Sequence, residues 1–429
     1  MIPSIIIEKK RDGKVLSNKE IKWFIESHMK NEIDDCQMSA LLMAIYIRGM
    51  IDEELFSLVD VMVNSGARCD FSHLNSYVAD KHSTGGVGDK ISLILLPILS
   101  SLGFIIPMIA GRALAFTGGT IDKLNSIKNF QTELTLNRFI KNINDTNCAV
   151  ISQSNEICPA DKKIYAIRDI TGTIPSLPLI CSSIMSKKIA EGLDGLVLDI
   201  KVGNGAFMKN ISQAKKLANS LIKIGENFNI QTKVSFTNMD QPLGNYAGLN
   251  CEIIETIDFL KGNHPADLME VTLELGIKIL RMSNFADDYN SAKKIIINNL
   301  NSGKALNKFT EIISSQGGNI NHITSNRLKP KNEILIKSNK NGYLSSFNTE
   351  QIGWSLVEIG CGKKSKNDKL DYSAGIEFVK KIGQRIKKGD TIYRIFGKSE
   401  KKLNVGKSML IKSFSIMNRE TKQKPIILT

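Results

Sequence analysis

From about residue 76 this 429-residue chain alternates short apolar runs with helix-length segments, a rhythm that confines it to a parallel α/β sheet with crossover helices. The expected strands are 104–109, 149–151, 195–202 and 231–237. Residues 211–227 form the expected crossover helix, with Ala214, Leu217, Ala218, Leu221 and Ile222 on one side. The flanking regions have other textures. In the first 65 residues Ser17-Asn18-Lys19-Glu20 is a capping box ahead of Ile21, Phe24, Ile25 and Met29 at helical spacing, and 37–50 and 52–64 carry apolar helix faces. Residues 160–192 read as helical again, broken near Pro175 and Pro178. After about 335, short strand-like pieces at 334–338, 342–346 and 391–395 surround a helix near 349–360. The expected architecture is a small all-helical domain (1–66 with 163–193), a large α/β domain with a mainly parallel central sheet (67–162 with 194–335), and a C-terminal α+β, β-rich domain (336–429).

Bulk properties narrow the class. With 42% hydrophobic and 23% charged residues the chain is globular, and its length calls for two or three domains. The uncharged stretch 91–111 resembles a membrane span in composition. Pro97, Gly103, Pro107 and three serines interrupt it, so it is expected to be a short helix and a buried strand. Seven scattered cysteines without a C-x-x-C pair argue for reduced thiols, against zinc and against a disulfide framework. The start, Met1 to Ile7 followed at once by Glu8-Lys9-Lys10-Arg11, has no signal-peptide pattern, and a cytoplasmic protein is expected. Residues 321–429 hold 23 Lys plus Arg against 9 Asp plus Glu, which accounts for the whole net charge of +14. A surface for nucleic acid or an acidic partner is one reading of that tail. A Lys-rich solvated face is preferred, because no RNP motif or arginine stripe accompanies it, and no nucleic acid is expected.

The chemistry is concentrated in Lys81-His82-Ser83-Thr84-Gly85-Gly86-Val87-Gly88-Asp89-Lys90, just before the apolar helix starting at Ile91. Glycines admit a ligand close to the backbone and amides at a helix start favour an anion, with Lys81, Ser83, Thr84 and Ser92 as further donors. A phosphate is the natural guest, and His82 can donate a proton near neutral pH. The spacing fits neither a dinucleotide fingerprint nor a nucleotide P-loop; an ordinary Gly-rich turn is the plain alternative. A second run, Ala110 to Leu124, offers Thr117, Thr120 and the amides of Gly118 and Gly119. A third leads from Asp161 through Arg168 to Ser182, Ser183 and Lys187, and a fourth is 199–208. Read alone, Arg168 with Asp169 is a surface ion pair, and Lys187 with Lys188 an exposed helix face.

Together these four segments resemble the thymidine phosphorylase and pyrimidine-nucleoside phosphorylase family. The resemblance starts at Arg11-Asp12-Gly13-Lys14 and includes Asn64-Ser65-Gly66, Gln241-Pro242-Leu243-Gly244 and Asp371-Tyr372-Ser373-Ala374-Gly375. It implies reversible phosphorolysis of pyrimidine (deoxy)nucleosides by inorganic phosphate, in a homodimer with no organic cofactor. It further implies phosphate binding by Lys81, Ser83, Ser92 and Thr120, base binding by Arg168, Ser183 and Lys187, and proton donation to the leaving base by His82. Gly88, Leu243 and Glu255 match positions that ligate potassium in some members, where the ligand at 246 is a backbone carbonyl. The chain departs from the family in the second Gly-rich run. It has Ala110, Ala113, Ala115 and Phe116 where Ser, Gly, Gly and His are usual, and Asn125 for an acid. Phe116 is expected beside the sugar. Two rival readings remain: a phosphoribosyltransferase of the anthranilate type using Mg²⁺, with Asp89 as thin support, and a catalytically weakened nucleoside-binding relative.

Overall fold

Ser17 accepts a hydrogen bond from the Glu20 amide while the Glu20 carboxylate accepts from Ser17 N, fixing the start of α2 as the capping box requires. The computed structural model describes residues 1–113, 115–320, 329–365 and 368–429. It begins with α1 (Pro3–Arg11), α2 (Asn18–Met29), α3 (Asp35–Arg48) and α4 (Asp52–Val63). Phe24, Met38, Leu41, Leu58 and Met62 form their core, joined by Ile164 and Leu179 from much later in the chain.

The chain then runs through β1 (Ala79–Ser83), α5 (Ile91–Ser101), β2 (Ile106–Ala110), α6 (Thr120–Leu124), α7 (Leu136–Thr146) and β3 (Cys148–Ser152). It returns to the helical bundle as α8 (Pro159–Thr171) and α9 (Leu177–Ala190), then comes back as β4 (Gly195–Val202), α10 (Ile211–Asn227) and β5 (Gln231–Asn238). β1 pairs parallel with β4 and β4 with β5, while β2 pairs parallel with β3. A parallel bridge between Val78 and Ile105 joins the two groups at β1 and β2. β2, β3 and most of β4 are apolar and buried, as strands covered on both faces are. α5 is buried nearly all round, and Pro97 lies inside it instead of ending it; packing overrides the missing hydrogen bond.

β6 (Tyr246–Gly248) follows, then α11 (Asn250–Leu260), α12 (Ala266–Met282), α13 (Tyr289–Asn301) and α14 (Lys304–Ser315). The last part holds β7 (Asn332–Lys337), β8 (Gly342–Phe347), β9 (Gly375–Phe378), β10 (Arg385–Ile386), β11 (Thr391–Gly397), β12 (Phe414–Met417) and β13 (Ile427–Leu428). Helices Thr349–Ile359 and Glu400–Leu410 lie among them. Two strands cross the expected boundaries. β6 pairs with β9 in the C-terminal sheet, and β13 pairs antiparallel with β5 in the large sheet. Among the described residues no helix is long and apolar enough to cross a membrane.

Candidate active site

β1 delivers Lys81, His82 and Ser83 to the carboxyl edge of the parallel sheet, where ligands of such sheets sit. Lys81 is only 4% exposed, yet its ammonium makes no ion pair shorter than 3.7 Å. It lies 3.4 Å from Ser92 Oγ, 3.8 Å from Asp89 and 3.7 Å from Asp199. Ser83 Oγ donates to Asp89 at 2.6 Å and accepts from the Gly85 amide, which shapes the turn. Burial works against the Asp89 charge, but Lys201, Lys81 and Lys123 hold its carboxyl well below the ordinary range.

The second Gly-rich run packs against the first. A Cβ on Gly85, which has φ +89°, would fall 3.3 Å from Thr117 Oγ1. Lys123 of α6 donates to the Asp89 carbonyl at 2.6 Å and pairs with Glu252 at 2.6 Å, so α6, which Thr120 begins, is tied to the turn. Ala115 adopts φ +51°, a left-handed conformation that costs a non-glycine residue about 1–2 kcal/mol. Phe116 is buried, 6% exposed. It packs on Phe207 and Trp354, with ring centroids 5.8 and 5.9 Å away, and belongs to the C-terminal core. An apolar ring gains free energy from that burial. Asn125 accepts from Thr132 Oγ1 at 2.9 Å.

On the helical side, α8 and α9 hold the other candidates. Arg168 is 1% exposed: its guanidinium donates to the carbonyls of Leu179 (2.9 Å) and Ile174 (2.8 Å), and its buried Nε–H has no partner among the described residues. The expected surface pair with Asp169 is therefore not its setting. Lys187 pairs with buried Asp161 at 2.6 Å and donates to Ser183 Oγ at 3.0 Å and to the Ser183 carbonyl one turn earlier. His82 feels the charges of both sides. Burial first, then the positive charges of Lys188, Lys187 and Lys81, push its imidazole well below its usual pKa, so it is neutral near pH 7.

Sequence reasoning missed the buried charges behind these groups. Lys188 is not on an exposed face; it is fully buried, bonded to Asp80 and, at 2.7 Å, to Glu191, whose carboxylate also accepts from the Ile109 amide. This network fastens α9 to β1 and β2. Lys201 pairs with Asp199 at 2.7 Å beneath Lys81. Only the alternation of Asp199 and Lys201 within an otherwise apolar strand signalled it.

The potassium expectation meets a different occupant. The carbonyls of Leu243 and Tyr246 and the Glu255 carboxylate converge on the Lys90 ammonium, at 3.1, 2.9 and 2.7 Å. Gly88 lies against the same loop, where a Cβ would be 2.4 Å from the Leu243 carbonyl. With the ammonium in place, a metal ion at this point would meet a like charge at contact distance, so the residues present do not fit potassium.

A helical bundle beside an α/β domain is the two-part architecture of a glycosyl transferase family. The description "Glycosyl transferase family, a/b domain" matches residues 75–306, and "Glycosyl transferase family, helical bundle domain" matches 4–66. "Pyrimidine nucleoside phosphorylase C-terminal domain" matches 343–416. The pyrimidine-nucleoside phosphorylase of Staphylococcus epidermidis is 45% identical over 392 residues, 91% of this chain and 90% of that protein. The same enzyme of Staphylococcus haemolyticus is 44% identical over 397 residues, 92% of each chain. The chain belongs to the pyrimidine-nucleoside phosphorylase family. The crystal structure of anthranilate phosphoribosyltransferase from Thermus thermophilus shares the fold at TM-score 0.57 and 16% identity, covering 72% of this chain and 98% of that one.

Proposed function

We propose that this chain catalyses the reversible phosphorolysis of pyrimidine (deoxy)nucleosides, with thymidine, uridine and deoxyuridine as substrates and inorganic phosphate as co-substrate. The observation that carries this reading is two cationic groups, Lys81 at 3.8 Å from Asp89 and 3.7 Å from Asp199, and buried Arg168 with Lys187 bonded to Ser183, with Lys81 and Lys187 both acting on the neutral His82. Lys81, Ser83, Ser92 and Thr120 hold the phosphate. A phosphate oxygen forms the new bond to C1′ as the bond from C1′ to the base nitrogen breaks, and that electron pair leaves with the base. Arg168, through its free Nε–H, and Lys187 stabilise the charge developing on the pyrimidine, while Ser183 bonds its polar edge. His82, neutral in the free enzyme, donates a hydrogen bond to the base, which leaves as an anion held by Arg168 and Lys187 and takes its proton from water. No protein nucleophile and no organic cofactor are needed.

The protein works in nucleoside salvage in the cytoplasm as a homodimer. Support for the dimer is an apolar face on α1 and α3, which pack together: Ile5 is 56%, Tyr46 43% and Ile47 67% exposed. Phosphate-dependent release of thymine or uracil, followed by ultraviolet absorbance, tests the activity. No release from thymidine, uridine or deoxyuridine at saturating phosphate sinks it.

A further inference from the structure

We propose that Lys90 is a built-in monovalent cation, its ammonium filling the seat made by the Leu243 and Tyr246 carbonyls and Glu255, so that this protein needs no potassium. Lys90 is 1% exposed, and its three N–H donors have three acceptors at 2.7–3.1 Å. The seat is drawn in around it. Glu255 also accepts from the amides of Asn245 (2.6 Å) and Tyr246 (3.1 Å), and a Cβ on Gly244 would lie 2.7 Å from Lys90 Nζ. Two carbonyl dipoles and a carboxylate pointing at one buried spot require a positive charge there, and an ammonium meets that requirement with directed hydrogen bonds. Burial alone disfavours its charge, but Glu255 and Glu252 raise its pKa above the usual lysine value.

The seat lies where a cation matters to the phosphate wall. Lys90 is the cap residue of α5, between Asp89, which holds Ser83, and Ser92, which approaches Lys81. Its side chain reaches away from that wall to the 241–246 loop. Lys381, from the turn after β9, grips the same loop through the Pro242 carbonyl at 2.8 Å, the Gly244 carbonyl and Asp267 at 3.3 Å. Lys90 is thus a positioning residue: it locks the glycine turn to a loop that the C-terminal sheet also holds.

The test compares salts of potassium, sodium and tetramethylammonium at equal ionic strength. For the unaltered protein, thermal midpoint and phosphorolysis rate are expected to be the same in all three. Lys90→Thr opens the seat and adds a hydroxyl oxygen. Without potassium its midpoint falls and its KM for phosphate rises by about tenfold, with kcat changed less. Potassium restores both, and tetramethylammonium restores neither. Lys90→Met keeps the stem without the charge and is not rescued by potassium. A potassium-specific gain in the unaltered protein overturns the proposal. A folded Lys90→Thr indifferent to potassium, or rescue of Lys90→Met by potassium, does so too. If Lys90→Thr fails to fold, the salt series on the unaltered protein still decides. The midpoints need no nucleoside, so they separate a failure here from a failure of the phosphorylase reading on which the kinetic arm rests.

Discussion

Arg168 commits its two terminal nitrogens to main-chain carbonyls and keeps one buried N–H in reserve, which makes it a rigid donor and not a mobile surface charge. Arg168→Lys retains charge without the planar fork, and kcat is expected to fall by about 10²–10³ with little change in phosphate KM, in steady-state assays. His82 gives a pH signature. Because its pKa is lowered from 6.5, the neutral form persists as pH falls through 6.5, so kcat/KM should show no acid limb there and decline only at lower pH. A limb centred at 6.5 in the pH–rate profile would contradict the neutral imidazole. At position 116 the family histidine cannot simply be restored. Phe116→His puts an imidazole among Phe207, Trp354 and Gly353, and is expected to lower unfolding stability by about 1–3 kcal/mol in denaturant titration without a large gain in rate. The sequence exposed these residue types and their order, but not their surroundings. A lysine after another lysine on a helix reads as solvated, and nothing local says that Asp80 lies opposite Lys188 across more than a hundred residues of chain.

At the scale of elements, α9 belongs to two bodies. Its first turn packs Leu179 into the helical core, whereas its last turns are bonded through Lys188 and Glu191 to β1 and β2. Lys188→Met strands Asp80 and Glu191 as buried carboxylates, and urea unfolding should show a loss of about 3–5 kcal/mol. Long elements were readable. β4 and α10 have the bounds expected, because an eight-residue strand apolar except for Asp199 and Lys201 and a seventeen-residue amphipathic helix are long enough to be recognised. β6 and β13, of three and two residues, carry no period and exist only through their partners β9 and β5. The uncharged stretch 91–111 divides as expected into the short helix α5 and the buried strand β2, and all-round burial accommodates Pro97 inside α5.

For the whole molecule, the α1–α3 face makes a prediction about assembly. Ile5→Asp with Ile47→Asp should convert the proposed dimer to monomer in sedimentation experiments, while circular dichroism stays unchanged because both side chains are exposed. If the unaltered protein sediments as a monomer, the homodimer reading fails. The three-part architecture and the family were legible in the sequence because each part has its own texture and the motif runs recur in order. The joints between parts were not, since they rest on single lysines and on β6. That strand also has a temporal meaning. Ala247 pairs with Ile376, so during synthesis the 241–246 loop is held by Lys90, Glu255 and Asp267 and lacks this pairing until the C-terminal sheet has been made. Closing so long a stretch of chain is slow, and competence for turnover is gained late, when the last sheet docks and not when the first one forms.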